Sequence, residues 1–109
     1  MIAGIGVDMV SVARMRRSYE RTRNSERLAN KILTSTELVG YNDSTDKALY
    51  LAKCWAVKEA TFKSLGFPYD WLSISYVSPN VIVEGVDGNF HLSLSDDNGY
   101  VIAFVIMEK

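Results

Sequence analysis

Glu59 and Lys63 are charged residues in the middle of an apolar helix face. At about 100° per residue, that face gathers Leu49, Ala52, Trp55, Ala56 and Phe62. The opposite side of the same helix is predicted to hold Lys53, Cys54, Thr61 and Ser64. An unpaired charge directed at the core costs on the order of several kcal/mol. Glu59 and Lys63 must therefore either be paired or face something other than the core.

Three interpretations of these two residues remain open at the level of one helix. Glu59 and Lys63 stand at positions i and i+4 in the favourable order, so they can pair with each other. They can instead face a subunit interface. The third interpretation is a site in which Glu59 binds a cation and Lys63 binds an anion, and a second out-of-place carboxylate favours it.

That second carboxylate is Asp8, at the end of an apolar strand in which Gly4 and Gly6 permit close approach of another backbone. Taken alone, Asp8 could simply cap the helix that follows. Together, Asp8 and Glu59 supply two oxygen ligands from different elements, which is what Mg²⁺ commonly receives from a protein while water and substrate phosphates complete its shell. Lys63, one turn beyond Glu59, would be placed for those phosphates.

The remaining polar signals are a histidine and a basic segment. His91, the only histidine, lies on the polar side of a predicted strand, where it is either a surface residue or a donor to a phosphate or a partner. All six arginines lie between Arg14 and Arg27. Residues 1–36 hold seven basic groups against three acids, a net +4, and the remainder holds five lysines against ten acids, a net −5. This basic segment is either a solvated helix face or the docking face for an acidic partner; a nucleic acid is not favoured.

The elements that must position these residues follow from capping and periodicity. A first strand, Ile2 to Val10, precedes a helix that is capped by Ser11 and runs to about Arg23. Asn24 or Ser25 can cap a second helix through Leu33, and Thr34 with Glu37 forms a capping box for a third. Thr45 or Asp46 begins the longest helix, which Gly66 and Pro68 end. The predicted strands after it are Leu72–Val77, Val81–Glu84, Phe90–Ser95 and Tyr100–Met107, with turns at Asp87–Asn89 and Asp96–Gly99.

This order of elements predicts an α+β fold in which a mainly antiparallel sheet packs on the long helix, as one domain over residues 1–109. The single cysteine, Cys54, can form no internal disulfide, which is typical of a reducing compartment. The apolar run Val101 to Met107 is too short to span a membrane, and Asp8 interrupts the N-terminal apolar stretch, which argues against a signal peptide. We therefore expect a cytoplasmic protein with no membrane partner.

Three motifs resemble one known family. GIGVDMVSVARM (Gly4–Met15) is similar to the opening strand and partner-binding helix of the holo-acyl-carrier-protein synthases, the small 4′-phosphopantetheinyl transferases. WAVKEATFKSLG (Trp55–Gly66) resembles their signature helix, and HLSLSDDNGYVIAFVIME (His91–Glu108) resembles their final hairpin. The three occur in the family's order and span most of the chain.

The resemblance implies roles for individual residues. Asp8 and Glu59 would bind Mg²⁺, and both would act in catalysis with Lys63, which would contact the phosphates of coenzyme A. His91 would lie near the nucleotide end of the coenzyme, and Lys58 is carried over as a further coenzyme contact. The helix that holds Arg14 and Arg17 would bind the acidic carrier protein.

The implied reaction is Mg²⁺-dependent transfer of 4′-phosphopantetheine from coenzyme A to a serine of an apo-acyl carrier protein, with release of 3′,5′-ADP, as in fatty-acid and lipid synthesis. Either Glu59 or a metal-bound water would accept the serine proton, and the family assembles as a trimer with sites between subunits. A non-catalytic module that binds the carrier protein or coenzyme A is the alternative. A structural oligomer in which Glu59 and Lys63 merely close the interface is a third possibility.

The chain departs from the family pattern in two places. Gly66 is followed by Phe67, Pro68 and Tyr69, where relatives usually have a Gly-Thr-Gly loop near the coenzyme. Only Val86 to Asn89 separates the strand predicted at Val81–Glu84 from Phe90, so the helix that usually precedes the histidine-containing strand is missing. We expect the coenzyme pocket to differ at these two places.

Overall fold

A computed structural model describes residues 1–21 and 25–109 of the chain. The predicted cap Asn24 and the predicted helix end near Arg23 lie outside the described residues. Within these two ranges one strand comes first, four helices follow, and four strands come last, as the α+β prediction requires. In chain order the elements are β1 (Ile2–Ser11), α1 (Val12–Arg21), α2 (Ser25–Ile32), α3 (Ser35–Asp43), α4 (Lys47–Leu65), β2 (Ile74–Val77), β3 (Asn80–Val83), β4 (Asn89–Asp97) and β5 (Tyr100–Glu108).

The larger sheet has three antiparallel strands in the order β1-β5-β4. Its central strand β5 alternates buried Val101, Ala103, Val105 and Met107 with less buried residues, so one face of the sheet is directed at the core. The turn between β4 and β5 holds Asn98 at φ 51° and Gly99 at φ 80°. Positive φ at both central residues is typical of a tight hairpin that matches the strand twist, and the predicted turn at Asp96–Gly99 is confirmed.

The helix caps follow the sequence closely. Thr34 Oγ1 accepts the Glu37 N–H at 3.3 Å while Glu37 Oε1 accepts the Thr34 N–H at 2.9 Å, which completes the predicted capping box of α3. Asp46 caps α4 by accepting the Leu49 N–H at 3.1 Å, and Gly66 ends it in the left-handed region at φ 74°.

Helix α4 is the element on which both parts of the core are built. One part lies between α4 and the larger sheet, and the other lies between α4 and the helices α2 and α3. The predicted polar side of α4 is therefore wrong for Cys54, Thr61 and Ser64, which are all buried. The Thr61 hydroxyl donates to Val57 O at 2.7 Å and the Ser64 hydroxyl to Thr61 O at 2.6 Å, so the helix satisfies both by itself. Neither α4 nor any other helix in the described ranges combines the length and apolarity that crossing a membrane requires.

The second sheet contains β2 and β3. Two predictions about this part of the chain, a strand start and a hairpin turn, are wrong. Strand β2 begins at Ile74 rather than Leu72, because Trp71–Ser73 form a single 3₁₀ turn capped by Asp70. The predicted hairpin turn at Asp87–Asn89 is wrong, because β3 and β4 belong to different sheets and the described strands show no pairing between them. No helix lies between β3 and β4.

Candidate active site

Two glycines bring α4 against the backbone of β1. A Cβ on Gly4 would lie 1.8 Å from Ser64 O, and a Cβ on Gly6 would lie 1.9 Å from Ala60 O. No other residue therefore fits at either position. Two strand residues span about 6.6 Å and four helix residues span about 6 Å. The spacing of Gly4 and Gly6 along β1 therefore matches the spacing of Ser64 and Ala60 along α4.

Asp8 lies on the same inner face of β1 as Gly4 and Gly6, because alternate residues of a strand share one face. Side chains on a helix lean toward its N-terminus, which carries the ammonium of Lys63 back toward Asp8. Lys63 Nζ lies 3.3 Å from Asp8 Oδ1 and donates to Val7 O at 3.0 Å. The Asp8 side chain is 16 % exposed and that of Lys63 is 51 % exposed, so the pair stands at the mouth of a cleft.

The cleft, of about 500 Å³, gathers four of the polar residues that the sequence singled out. Asp8, Glu59 and Lys63 line it together with Arg14 from α1. Within the described part of the chain, the structure shows no hydrogen bond or ion pair of the Glu59 carboxylate. The helical pair between Glu59 and Lys63 is therefore not formed, since Lys63 pairs with Asp8. The remaining wall includes the apolar residues Met15, Leu28, Ile32 and Trp55 as well as Ser11 and Ser18.

The donor set of this cleft fits Mg²⁺ better than a transition metal. No group of three or more histidine, cysteine, aspartate or glutamate residues that could hold a metal ion occurs in residues 1–21 and 25–109. Mg²⁺ does not need one, because one or two carboxylates with water and substrate phosphates are its usual protein site. Asp8 and Glu59 supply these two carboxylates in one cleft, whereas Zn²⁺ would need nitrogen or sulfur ligands.

His91 is not brought to this cleft. His91 lies on β4 opposite Ile106 of β5. Asp8 lies opposite Ala103 of β5, and Ala103 in turn lies opposite Leu94, which is three residues further along β4 than His91. Its Nε2 lies 3.0 Å from Glu108 Oε1, on the exposed side of the sheet. His91 lines a second cleft of about 540 Å³ with residues of β3 and the segment that follows it.

The two arginines predicted to bind the carrier protein differ sharply in exposure from Lys58. Arg14 and Arg17 are exposed on α1, and the Arg14 N–H donates to Ser11 Oγ at 3.2 Å, so Ser11 caps this helix as predicted. Lys58 is completely buried and its ammonium donates to Glu37 Oε1 at 2.7 Å. The contact of Lys58 with coenzyme A stays a prediction, since the amine has other partners in the folded chain.

Two residues near the site had no functional signal in the sequence. Glu37 was predicted only as a capping residue, and Trp71 lies outside the predicted strand Leu72–Val77. The structure joins both to the buried amine of Lys58. Cys54 is nearby in the same interior, where burial and then the charge of Glu37 raise the pKa of its thiol, so it stays protonated and is no nucleophile.

A comparison with known families decides the class of this fold and site. A family model described as the 4′-phosphopantetheinyl transferase superfamily matches residues 4–105. The chain belongs to this superfamily. The predicted resemblance, the predicted fold and the predicted enzyme class, holo-acyl-carrier-protein synthase, are confirmed.

Relatives of this transferase are similar over nearly their whole length. The holo-[acyl-carrier-protein] synthase of Azoarcus sp. (strain BH72) is 38 % identical over 126 residues, which cover 99 % of this chain and 98 % of the relative. The alignment is longer than the 109 residues of this chain, so the relative holds residues that this transferase lacks, in agreement with the missing helix.

Two solved structures share the fold. The holo-[acyl-carrier-protein] synthase from Neisseria meningitidis superposes with a TM-score of 0.85 at 30 % identity and covers 100 % of both chains. The Helicobacter pylori holo-[acyl-carrier-protein] synthase, solved in complex with coenzyme A, gives a TM-score of 0.78 at 26 % identity and covers 95 % of this chain and 99 % of that one.

Proposed function

We propose that this transferase moves 4′-phosphopantetheine from coenzyme A to a serine of an apo-acyl carrier protein, with Mg²⁺ and with release of 3′,5′-ADP. The observation that carries the proposal is the single cleft that gathers Asp8, Glu59 and Lys63 from two elements locked together by Gly4 and Gly6. The names of its relatives and the coenzyme A in the Helicobacter pylori structure support the substrates.

Asp8 and Glu59 are the residues that would hold Mg²⁺. When bound, the ion would neutralise charge on the pyrophosphate of coenzyme A and so favour departure of 3′,5′-ADP. The residues of the chain then do the positioning. Glu59 has the carboxylate without a described partner, and Asp8 needs only to exchange Lys63 for another cation.

Lys63 is suited to a phosphate because its ammonium is half exposed and held only by Asp8 and a backbone carbonyl. In the proposed reaction the serine oxygen forms a bond to the β-phosphorus as the bond from that phosphorus to the 3′,5′-ADP oxygen breaks. The serine proton passes to Glu59 or to water in the cleft. Lys63 stabilises the negative charge that collects on the 5′-phosphate of the leaving 3′,5′-ADP.

The carrier protein would dock on α1. Arg14 lines the cleft, and the neighbouring Arg17 is exposed on the same helix, so a partner bound to α1 presents its serine beside the cleft. Acyl carrier proteins are acidic, and a basic helix attracts them by complementary charge. Arg16 is already engaged with Asp46 at 3.1 Å and contributes less.

The outer face of the larger sheet supports the proposed trimer. Strands β1 and β5 expose a row of apolar side chains there, which are Ile5, Val7, Met9, Ile102 and Phe104. Exposed apolar faces of this kind mark interaction sites. His91 lies on the same side of the sheet, on β4, so we propose that it meets the nucleotide end of coenzyme A where two subunits join.

The deciding experiment is intact-mass spectrometry of an apo-acyl carrier protein incubated with this transferase, coenzyme A and Mg²⁺, with an EDTA control. We expect a mass gain of one phosphopantetheine that is lost with EDTA. Glu59→Gln keeps the size of the side chain and removes its charge, and we expect it to abolish transfer. Glu84→Gln makes the same change at the exposed residue that follows β3 and should transfer normally.

Each contrary outcome has a defined meaning. No mass gain with several carrier proteins, although Mg²⁺ stabilises the protein against heat, would favour the non-catalytic binding module. The absence of any Mg²⁺-dependent stabilisation would favour the structural oligomer. Normal transfer by Glu59→Gln would remove this residue from the mechanism.

A further inference from the structure

The interior of the chain holds a complete ion pair that the proposed chemistry does not use. Lys58 Nζ lies 2.7 Å from Glu37 Oε1, and both side chains are 0 % exposed. The pair joins α4 to α3 and lies within one chain, so its burial does not depend on any subunit contact. Removing two charges from water costs several kcal/mol per ion (order of magnitude) unless every hydrogen-bonding group is satisfied.

Glu37 is satisfied on both oxygens. Its Oε1 accepts from the Thr34 N–H at 2.9 Å as well as from Lys58, and its Oε2 accepts from the Tyr76 N–H at 2.8 Å. One carboxylate therefore fixes the start of α3, the middle of α4 and the strand β2. Any change in its position would disturb all three elements, because the buried carboxylate holds a hydrogen bond to each of them.

Lys58 connects this hydrogen-bond network to the wall of the cleft. Its ammonium donates to Ile32 O at 2.9 Å, and the indole N–H of Trp71 donates to the same oxygen at 3.0 Å. Ile32 is the last residue of α2, where carbonyls have no partner within the helix and attract cations. The side chain of Ile32 lines the cleft, as does Trp55, whose ring lies 5.0 Å from that of Trp71.

We propose that Glu37 and Lys58 are positioning residues that hold the apolar wall formed by Ile32 and Trp55 at its working distance from Asp8, Glu59 and Lys63. The inference rests on the proposed function, since the distance of this wall from Asp8, Glu59 and Lys63 would set how close the carrier serine comes to the phosphate. Apolar residues of similar volume would stabilise the fold as well or better. The charges fix one geometry for the wall, which an apolar core would leave adjustable.

The test separates stability from position with the double variant Glu37→Gln/Lys58→Met, which removes both charges and nearly conserves volume. We expect it to fold with a higher Tm than Lys58→Met alone, which leaves Glu37 buried and unpaired. We expect kcat to fall by about tenfold or more, with the KM for coenzyme A within about twofold, because the phosphate-binding side of the cleft is untouched. The exciton signal of the Trp55–Trp71 pair in the circular dichroism spectrum should weaken.

The matched control is Lys53→Met, on the same helix. Lys53 lies 3.9 Å from Asp96 and both side chains are more than one-third exposed, so its removal takes a lysine from α4 without reaching the cleft. We expect wild-type kcat and an unchanged exciton signal. Trp71→Phe is a second variant, which removes one of the two donors to Ile32 O and keeps the ion pair. We expect it to lower kcat by about threefold at an unchanged KM.

A normal kcat per folded molecule in the double variant would show that the pair has only a structural role, and it would overturn the proposal. Should the double variant fail to fold, normal kcat in Trp71→Phe would overturn it as well. Failure of the proposed function would look different, since the wild type itself would then transfer nothing. In that case the exciton signal of the double variant, unchanged or weakened, still decides whether the pair fixes the wall.

Discussion

Two of the lysine–carboxylate pairs of helix α4 lie just over one turn apart and behave differently. Lys58 and Glu37 meet at 2.7 Å with both side chains 0 % exposed. Lys63 and Asp8 meet at 3.3 Å, and the lysine is 51 % exposed. The buried lysine donates in addition to Ile32 O and the exposed one to Val7 O. Similar donors and acceptors are therefore used in two dielectric environments.

The difference in burial determines what each pair can do. Without water, neither partner of the Lys58 pair can leave the other without losing several kcal/mol (order of magnitude), so the pair fixes geometry. At the mouth of the cleft, water and ions can solvate the charges of Lys63 and Asp8 when the two separate. Lys63 can therefore exchange Asp8 for a phosphate at little cost in free energy. One helix thus provides a rigid support through Lys58 and an exchangeable charge through Lys63.

The largest effect on stability should come from Lys58→Met. The substitution leaves Glu37 charged and buried, so we expect the free energy of unfolding to fall by about 3–5 kcal/mol. Urea denaturation followed by far-ultraviolet circular dichroism measures it. A loss below about 1 kcal/mol would show that the interior tolerates the charge and would remove the contrast between the two pairs.

Lys63→Met should give the opposite result. We expect transfer to slow by about a hundredfold because a phosphate-stabilising charge is lost, while the free energy of unfolding changes by less than about 1 kcal/mol. The measurements are the rate of mass gain of the carrier and the urea midpoint. A variant that unfolds easily but transfers normally per folded molecule would assign Lys63 to the scaffold.

A smaller effect is expected from Arg14→Glu/Arg17→Glu. Two charge reversals on exposed α1 residues should weaken carrier-protein binding by about tenfold and leave coenzyme A binding almost unchanged. Titration calorimetry with each partner separates the two, and Lys53→Glu provides a charge reversal away from α1. Equal losses for both partners would mean that α1 is not the docking face.

The smallest effect is at the start of α4, where the Arg16 guanidinium and the Leu49 N–H hold the pKa of Asp46 below its usual range. Such a carboxylate stabilises the fold above its unfolded pKa, and this stabilisation is lost as pH falls through the folded pKa. Asp46→Ala should cost about 1 kcal/mol at neutral pH through loss of the cap, and the difference from wild type should shrink below about pH 4. A difference that grows on acidification would contradict this assignment.

Local chemistry was enough to predict the caps and to single out three residues that line one cleft. The capping box at Thr34 and Glu37, the cap at Asp46 and the end at Gly66 are set by a few neighbouring residues. Asp8, Glu59 and Lys63 were found because each broke an apolar pattern, and Gly4 and Gly6 indicated the close approach that brings their elements together.

Long-range partners were not predictable in the same way. The capping box already gave Glu37 a role, and Lys58 was assigned only through the family resemblance. No broken pattern indicated that these two residues, 21 positions apart, form a pair. Periodicity also reports only one buried face, and α4 is covered on two sides, which is why the burial of Cys54 and Ser64 was missed. Turn residues at Asp87–Asn89 indicated a reversal but not which strand pairs with which.

The most direct test of the proposed cleft is a crystal structure with coenzyme A and Mn²⁺, whose anomalous signal locates the ion in place of Mg²⁺. We expect the anomalous peak between the carboxylates of Asp8 and Glu59, with the ammonium of Lys63 turned from Asp8 to the diphosphate. A coenzyme bound elsewhere, with Lys63 still on Asp8 and no metal beside Glu59, would contradict the proposed site.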